Sequence, residues 1–225
     1  MDGALAEYLL VDNERHLVPL GNLDPVQAVA LTDAGLTSYH AVKSASPKLG
    51  PGKIALVIGA GGLGHLAIQI IRALCPATIV AVDLSDDKLL LASALGADHV
   101  VRVDQNPASV IAGLTGTKGV DAIFDFVGSD ATLRLARDTA AISAAIVLVG
   151  VGTGSLPVGY RRLPFEANIK STFWGSRPEL WEVVDLAGSG NLTVTVETYS
   201  LDEAPKAYER LANGDVLGRA VVVPS

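Results

Sequence analysis

From Lys53 onward the chain alternates between short apolar runs free of polar interruption and longer mixed segments. Strand-length apolar runs fall at 54–58, 78–83, 99–102, 122–126 and 145–149, with helix candidates between them at 62–74, 86–95, 107–115 and 130–139. Ser85 and Ser129 stand where N-caps are wanted, and Gly96 where a helix should stop. Strands buried on both faces read as continuous apolar runs, and their alternation with helices implies right-handed crossovers. The pattern therefore predicts an α/β fold with a doubly wound parallel sheet and helices on both faces, a sixth strand being expected at 168–172.

The flanks break that rhythm. Residues 1–25 read as two short strands, 5–11 and 15–19, followed by a loop, and a helical stretch runs from 25 to about 44. Beyond Trp174 come a helix at 178–189, a strand at 193–199, a helix at 201–213 and a last strand at 219–223. The two flanks are expected to associate as a second, smaller unit. No internal repeat, charge block or low-complexity linker separates them.

Composition sharpens the class. Of the 225 residues 49% are hydrophobic, 18% charged and only 5% aromatic, the profile of parallel strands built on Val, Ile, Leu, Ala and Gly. A net charge of −7 with scattered Lys and Arg leaves no footprint for nucleic acid or anionic lipid. Cys75 is the sole cysteine, which excludes an intrachain disulfide and a multi-cysteine zinc site and reads as structural. Gly59, Gly61, Gly62, Gly64 and His65 interrupt the longest apolar stretch, which argues against a membrane span. With no basic or apolar leader after Met1, a reducing cytoplasm is the expected compartment.

The candidate chemistry begins where the first apolar run meets glycine. In Gly59-Ala60-Gly61-Gly62-Leu63-Gly64, the first glycine permits a tight turn, Gly61 lets backbone approach a pyrophosphate, and Gly64 lets the following helix pack closely. The helix N-terminus then faces the phosphates with free N–H groups. Methyltransferases carry similar loops, so context matters. Asp83, nineteen residues after Gly64, closes the second apolar run where an acid should accept the adenosine ribose hydroxyls. No Arg follows it, so the inference is NAD rather than NADP; the plainer reading is an aspartate capping a β–α loop. Phe126-Val127-Gly128 and Val149-Gly150-Val151 end the fourth and fifth runs, where ligands of parallel sheets bind, although either could be an ordinary turn.

Together the segments 31–42 (LTDAGLTSYHAV), 57–69 (VIGAGGLGHLAIQ), 82–89 (VDLSDDKL), 95–101 (LGADHVV), 124–128 (FDFVG), 147–152 (VLVGVG), 173–177 (FWGSR) and 217–224 (LGRAVVVP) resemble a medium-chain dehydrogenase/reductase. The resemblance is greatest to the bacterial NAD-dependent secondary alcohol dehydrogenases of the zinc-containing branch. It spans essentially the whole chain in family order. It implies a NAD-binding domain over 38–175, with 1–37 and 176–225 as remnants of a GroES-like, β-rich catalytic domain. It further implies that Asp83, with Leu84 and Lys88 beside it, meets the adenosine ribose, and that Gly62, Leu63 and Arg219 meet the pyrophosphate. Val149, Val151, Trp174 and Gly175 would flank the nicotinamide in the cleft that Val127, Gly128 and Gly150 also line, Thr37 would pack on its ring, and Asp33 matches a ligand of the catalytic zinc.

The departures from the family pattern are equally specific. The early Cys and His, the His–Glu pair and the four-cysteine structural lobe are absent from the sequence, so the expected chain lacks the N-terminal part of the catalytic domain. A catalytic zinc needs about three protein ligands, and Asp33 offers one. His40 lies two helical turns from Asp33, His65 opens the phosphate-facing helix, and His16 and His99 sit in or beside strands. The expectation is NAD binding without zinc held by this chain. Zinc-dependent turnover on a small secondary alcohol or ketone is then doubtful, and exposed flanks favour either a homo-oligomer pairing near the sixth strand or disorder and an aggregation tendency in residues 1–25. The alternatives are a catalytically silent nucleotide-binding or interaction module and a zinc-independent quinone or enoyl reductase. Asp33 and Asp83 argue against the last.

Overall fold

The computed structural model describes residues 5–116 and 118–224; residues 1–4 of the expected first segment and Ser225 of the last lie outside the described residues. Six parallel strands, β1 (Ile54–Ile58), β2 (Thr78–Asp83), β3 (His99–Arg102), β4 (Val120–Asp125), β5 (Ala140–Leu148) and β6 (Asn168–Ser171), form one sheet in the order β3-β2-β1-β4-β5-β6. The helices are α1 (Pro25–Ala28), α2 (Ala34–Ala45), α3 (Gly64–Leu74), α4 (Asp86–Ala94), α5 (Pro107–Thr115), α6 (Asp130–Thr139), α7 (Arg177–Gly188) and α8 (Ala204–Asn213).

The unbroken apolar character of β1 has a direct cause. Ala55 and Val57 pack into the layer containing Leu66 and Ile70 of α3 and Ala41 of α2, while Leu56 and Ile58 pack into the opposite layer with Ile111 of α5 and Ala136 of α6. Successive side chains alternate faces, so a strand covered on both sides must be apolar at every position. Strand order reverses beside β1, which pairs with β2 on one side and β4 on the other. That switch point puts the carboxyl ends of β1 and β4 around one crevice.

Several expected boundaries shift. β5 begins at Ala140 rather than 145, because the β4–β5 register slips between Val120 and Ala122 and Ser143 adopts a left-handed φ of 62°. The expected strands 5–11 and 15–19 are not formed: among the described residues only a 3-10 turn, Glu14–His16, is regular there. Neither segment finds a ladder partner, and an isolated pair of strands is marginal in water. The helix expected over 25–44 is broken into α1, a 3-10 turn (Val29–Thr32) and α2, with Asp33 at the break. β7 (Val196–Ser200) starts late because Thr193 exchanges both backbone hydrogen bonds with the Gln69 side chain of α3. β7 and β8 (Arg219–Val223) form a separate two-stranded parallel sheet. No described helix is long and apolar enough to cross a membrane.

Candidate functional site

The crevice is built first by glycine. Gly59 leaves β1 at φ +87° and donates its N–H to Val82 O at 2.8 Å, and a Cβ there would stand 2.8 Å from Val127 Cγ2. A Cβ on Gly64 would lie 1.9 Å from Gly59 O, so the helix closes on the strand only without a side chain. Around Gly61 there is open space. The helix begins at Gly64 rather than 62, and no side chain caps it. The N–H groups of His65, Leu66 and Ala67 already donate to the carbonyls of Gly61 and Leu63, so the amides just before them, at Gly62, Leu63 and Gly64, and the positive end of the helix dipole are what an anion would meet.

Asp83, the last residue of β2, is tied into the same loop. Its Oδ2 accepts the Ala60 N–H at 2.8 Å and its Oδ1 accepts the Ser85 N–H at 2.9 Å. Each carboxylate oxygen retains capacity for another donor. The bond to Ser85 is the plain turn role foreseen for Asp83; the bond to Ala60 joins it to the glycine loop as well. Leu84 is exposed beside it, and Lys88 reaches the Gly214 carbonyl at 3.3 Å. Gly61, Gly62, Leu63, Lys88, Gly214 and Arg219 line a cavity of about 280 Å³.

The two other strand ends meet backbone to backbone. A Cβ on Gly150 would fall 2.3 Å from the Val127 carbonyl carbon, and one on Gly128 would fall 2.6 Å from Gly150 O. Val149 and Gly150 both donate to Asp125 O at 2.9 Å. Val151 then projects into solvent. Sequence reasoning missed Asp125 itself. Fully buried, its Oδ1 accepts the N–H groups of Val127 and Gly128 at 2.9 and 3.0 Å, and its Oδ2 has no partner among the described residues. An acid closing an otherwise apolar strand was the available signal.

Opposite the glycine loop, residues assigned separate roles converge. Asp33 Oδ1 accepts the Trp174 indole N–H at 3.1 Å, and Oδ2 accepts Arg219 Nη2 at 3.3 Å. The same Arg219 lies over Gly62, its Nη1 3.2 Å from where a Cβ would sit. Arg219 and Asp33 also border a second cavity, of about 360 Å³, with Val29, Tyr208 and Leu211. Trp174 stacks on Phe173 with centroids 4.9 Å apart, and Gly175 packs against Leu36 and His40. Thr37 is buried on α2, its hydroxyl without a partner among the described residues, and neighbouring Ser38 donates to Leu63 O at 3.0 Å.

The histidines serve the scaffold. His65 is fully buried; its Nδ1 donates to Gly61 O at 2.9 Å and its Nε2 accepts the Thr195 N–H at 3.4 Å, which defines one neutral tautomer. Burial pushes its pKa below the ordinary histidine range and the Arg219 charge adds to that, while the Gly61 carbonyl opposes both. His40 contacts Glu179 at 3.0 Å. Cys75 is buried, and burial raises its thiol pKa. Among the described residues no three His, Cys, Asp or Glu side chains gather. The open glycine loop, uncapped helix and Asp83 therefore fit a dinucleotide, and the donor set does not fit a catalytic zinc.

A family model described as zinc-binding dehydrogenase matches residues 62–189. The chain is 37% identical over 227 residues to an NAD-dependent alcohol dehydrogenase of Sulfurisphaera tokodaii, covering 99% of this chain and 65% of that protein. It is 35% identical, with the same coverage, to an NAD-dependent alcohol dehydrogenase of Saccharolobus solfataricus. Among solved structures, the alcohol dehydrogenase of Aeropyrum pernix superposes with a TM-score of 0.92 at 37% identity, over 100% of this chain and 66% of that one. The chain thus spans about 65% of the length of the curated relatives it matches.

Proposed function

The chain belongs to the zinc-binding dehydrogenase family of medium-chain dehydrogenases/reductases, and from that premise we propose that its crevice binds NAD(H) for hydride transfer between a small secondary alcohol or ketone and nicotinamide. The observation carrying this reading is the Asp83–Ala60 hydrogen bond, which couples the ribose-binding acid to the glycine loop. The amides of Gly62 and Leu63 take the pyrophosphate, Arg219 supplies a cation beside it, and Asp83 accepts the ribose hydroxyls. Lys88 and Leu84 border the adenosine. Val127, Gly128, Val149, Gly150, Val151, Trp174, Gly175 and Thr37 surround the nicotinamide, which when bound gives or receives the hydride. Residues 38–175 form the cofactor domain in this proposal, and 1–37 and 176–225 belong with the catalytic one. The edge strand β6 offers its free side to a second copy, and the single buried Cys75 suits a reducing cytoplasm.

One observation favours a second reading, a nucleotide-binding module without turnover: both Asp33 oxygens already accept hydrogen bonds. Fluorescence titration with NADH, beside assays on simple secondary alcohols with NAD and added zinc, separates the two. Binding with turnover supports the dehydrogenase, binding alone supports the module, and absence of NADH binding overturns both.

A further inference from the structure

We infer that Asp33 is a positioning residue of the dinucleotide crevice, holding Arg219 across the glycine loop, and that it does not act here as a metal ligand. The inference rests on the NAD-binding reading above and assigns a different task to a residue that the family resemblance places at the zinc.

Asp33 occupies the N-cap position of α2 yet caps nothing; its side chain makes no bond to that helix. The carboxylate instead takes one donor from Trp174 and one from Arg219, on segments 141 and 186 residues away. Each donor is anchored independently. Trp174 is set by its left-handed φ of 49° and its stack on Phe173, with Gly175 seated against α2. The Arg219 backbone N–H is bonded to Thr195 O at 2.9 Å, and its Cδ and Nη1 lie 3.1 and 3.2 Å from the Gly62 Cβ position. A guanidinium has five N–H donors, so one given to Asp33 leaves others for an anion at the loop. An unrestrained arginine would lose rotamer freedom when the phosphates arrive, and the Asp33 contact removes part of that cost beforehand. A cation on Asp33 would be repelled by the guanidinium already there, and among the described residues no further ligands gather around it.

NADH fluorescence titration on wild type, Asp33→Ala, Arg219→Gln and the double variant tests this, with melting curves confirming that each folds. Asp33→Ala should weaken NADH binding about fivefold, and the double variant should bind no more weakly than Arg219→Gln alone, because Asp33 acts through Arg219. Asp33→Asn, which keeps one acceptor oxygen, should lose less; it also stands in if the alanine variant does not fold. Zinc or a chelator should leave the wild-type affinity unchanged. Unaltered affinity in Asp33→Ala, full additivity with Arg219→Gln, or stoichiometric zinc that is lost in Asp33→Ala would each overturn the inference. If wild type binds NADH and Arg219→Gln weakens it while Asp33→Ala does not, this inference alone fails. If wild type does not bind NADH, the cofactor reading falls and takes this one with it.

Discussion

Gly64 and Gly61 have different reasons to be glycine, and substitution separates them. A Cβ at position 64 would collide with the Gly59 carbonyl, so Gly64→Ala should destabilise the protein by roughly 1–3 kcal/mol or more in thermal denaturation. A Cβ at position 61 meets nothing within 4 Å, so Gly61→Ala should melt within about 0.5 kcal/mol of wild type while weakening NADH binding. Loss of stability in Gly61→Ala comparable to that in Gly64→Ala would contradict the division. His65 adds a pH dependence. Its pKa is lowered on folding, so its contribution is fully present above the ordinary histidine range and falls away as pH drops below it. Denaturation midpoints between pH 8 and 5 should show that loss, as protonated Nε2 can no longer accept the Thr195 N–H. These glycines and Asp83 were legible because their spacing is set by local geometry. Asp125 and the Asp33 contacts were not, since nothing nearby in the sequence specifies their partners.

Helix α7 is an element whose start was misplaced by one residue and whose cap carries more than propensity suggested. Ser176 and Glu179 form a reciprocal capping box, and Glu179 also faces His40 on α2 at 3.0 Å. Burial would by itself raise the Glu179 pKa. The Ser176 N–H, His40 and the Ser176 hydroxyl outweigh it and hold the carboxyl down at about 2. A depressed carboxyl contributes stability that is present above the ordinary glutamate range and lost as pH falls from there toward 2. Glu179→Gln should therefore lower stability by about 1 kcal/mol at neutral pH and flatten the acid limb of the stability profile. An unchanged acid limb would show that the cap is not the titrating contact. The helix expected over 25–44 failed differently. Local periodicity continues through Asp33, and the break answers to Trp174 and Arg219, which arrive from the far end of the chain.

At the scale of the molecule, β6 closes one edge of the sheet, and Ile142 of β5 together with Tyr160 and Phe165 of the β5–β6 connection are exposed. Light scattering after size-exclusion chromatography should therefore report a homo-oligomer, and a charged substitution at Ser171, an exposed residue of β6, should shift it toward monomer. A wild-type monomer would remove that expectation. The residue sequence by itself determined the six-stranded α/β unit and the glycine–Asp83 half of the crevice. Burial on both faces forces continuous apolar strands, and the positive φ of Gly59 with the close Gly59–Gly64 approach excludes a side chain at either position, so both constraints are written locally. Only the tertiary structure decided that residues 5–19 form no strand, that Thr193 bonds to a helix side chain, and that Asp33 faces an arginine from the last strand. Those outcomes depend on which distant groups satisfy a carboxylate or a backbone N–H. Such pairing follows from chain topology, and no local periodicity encodes it.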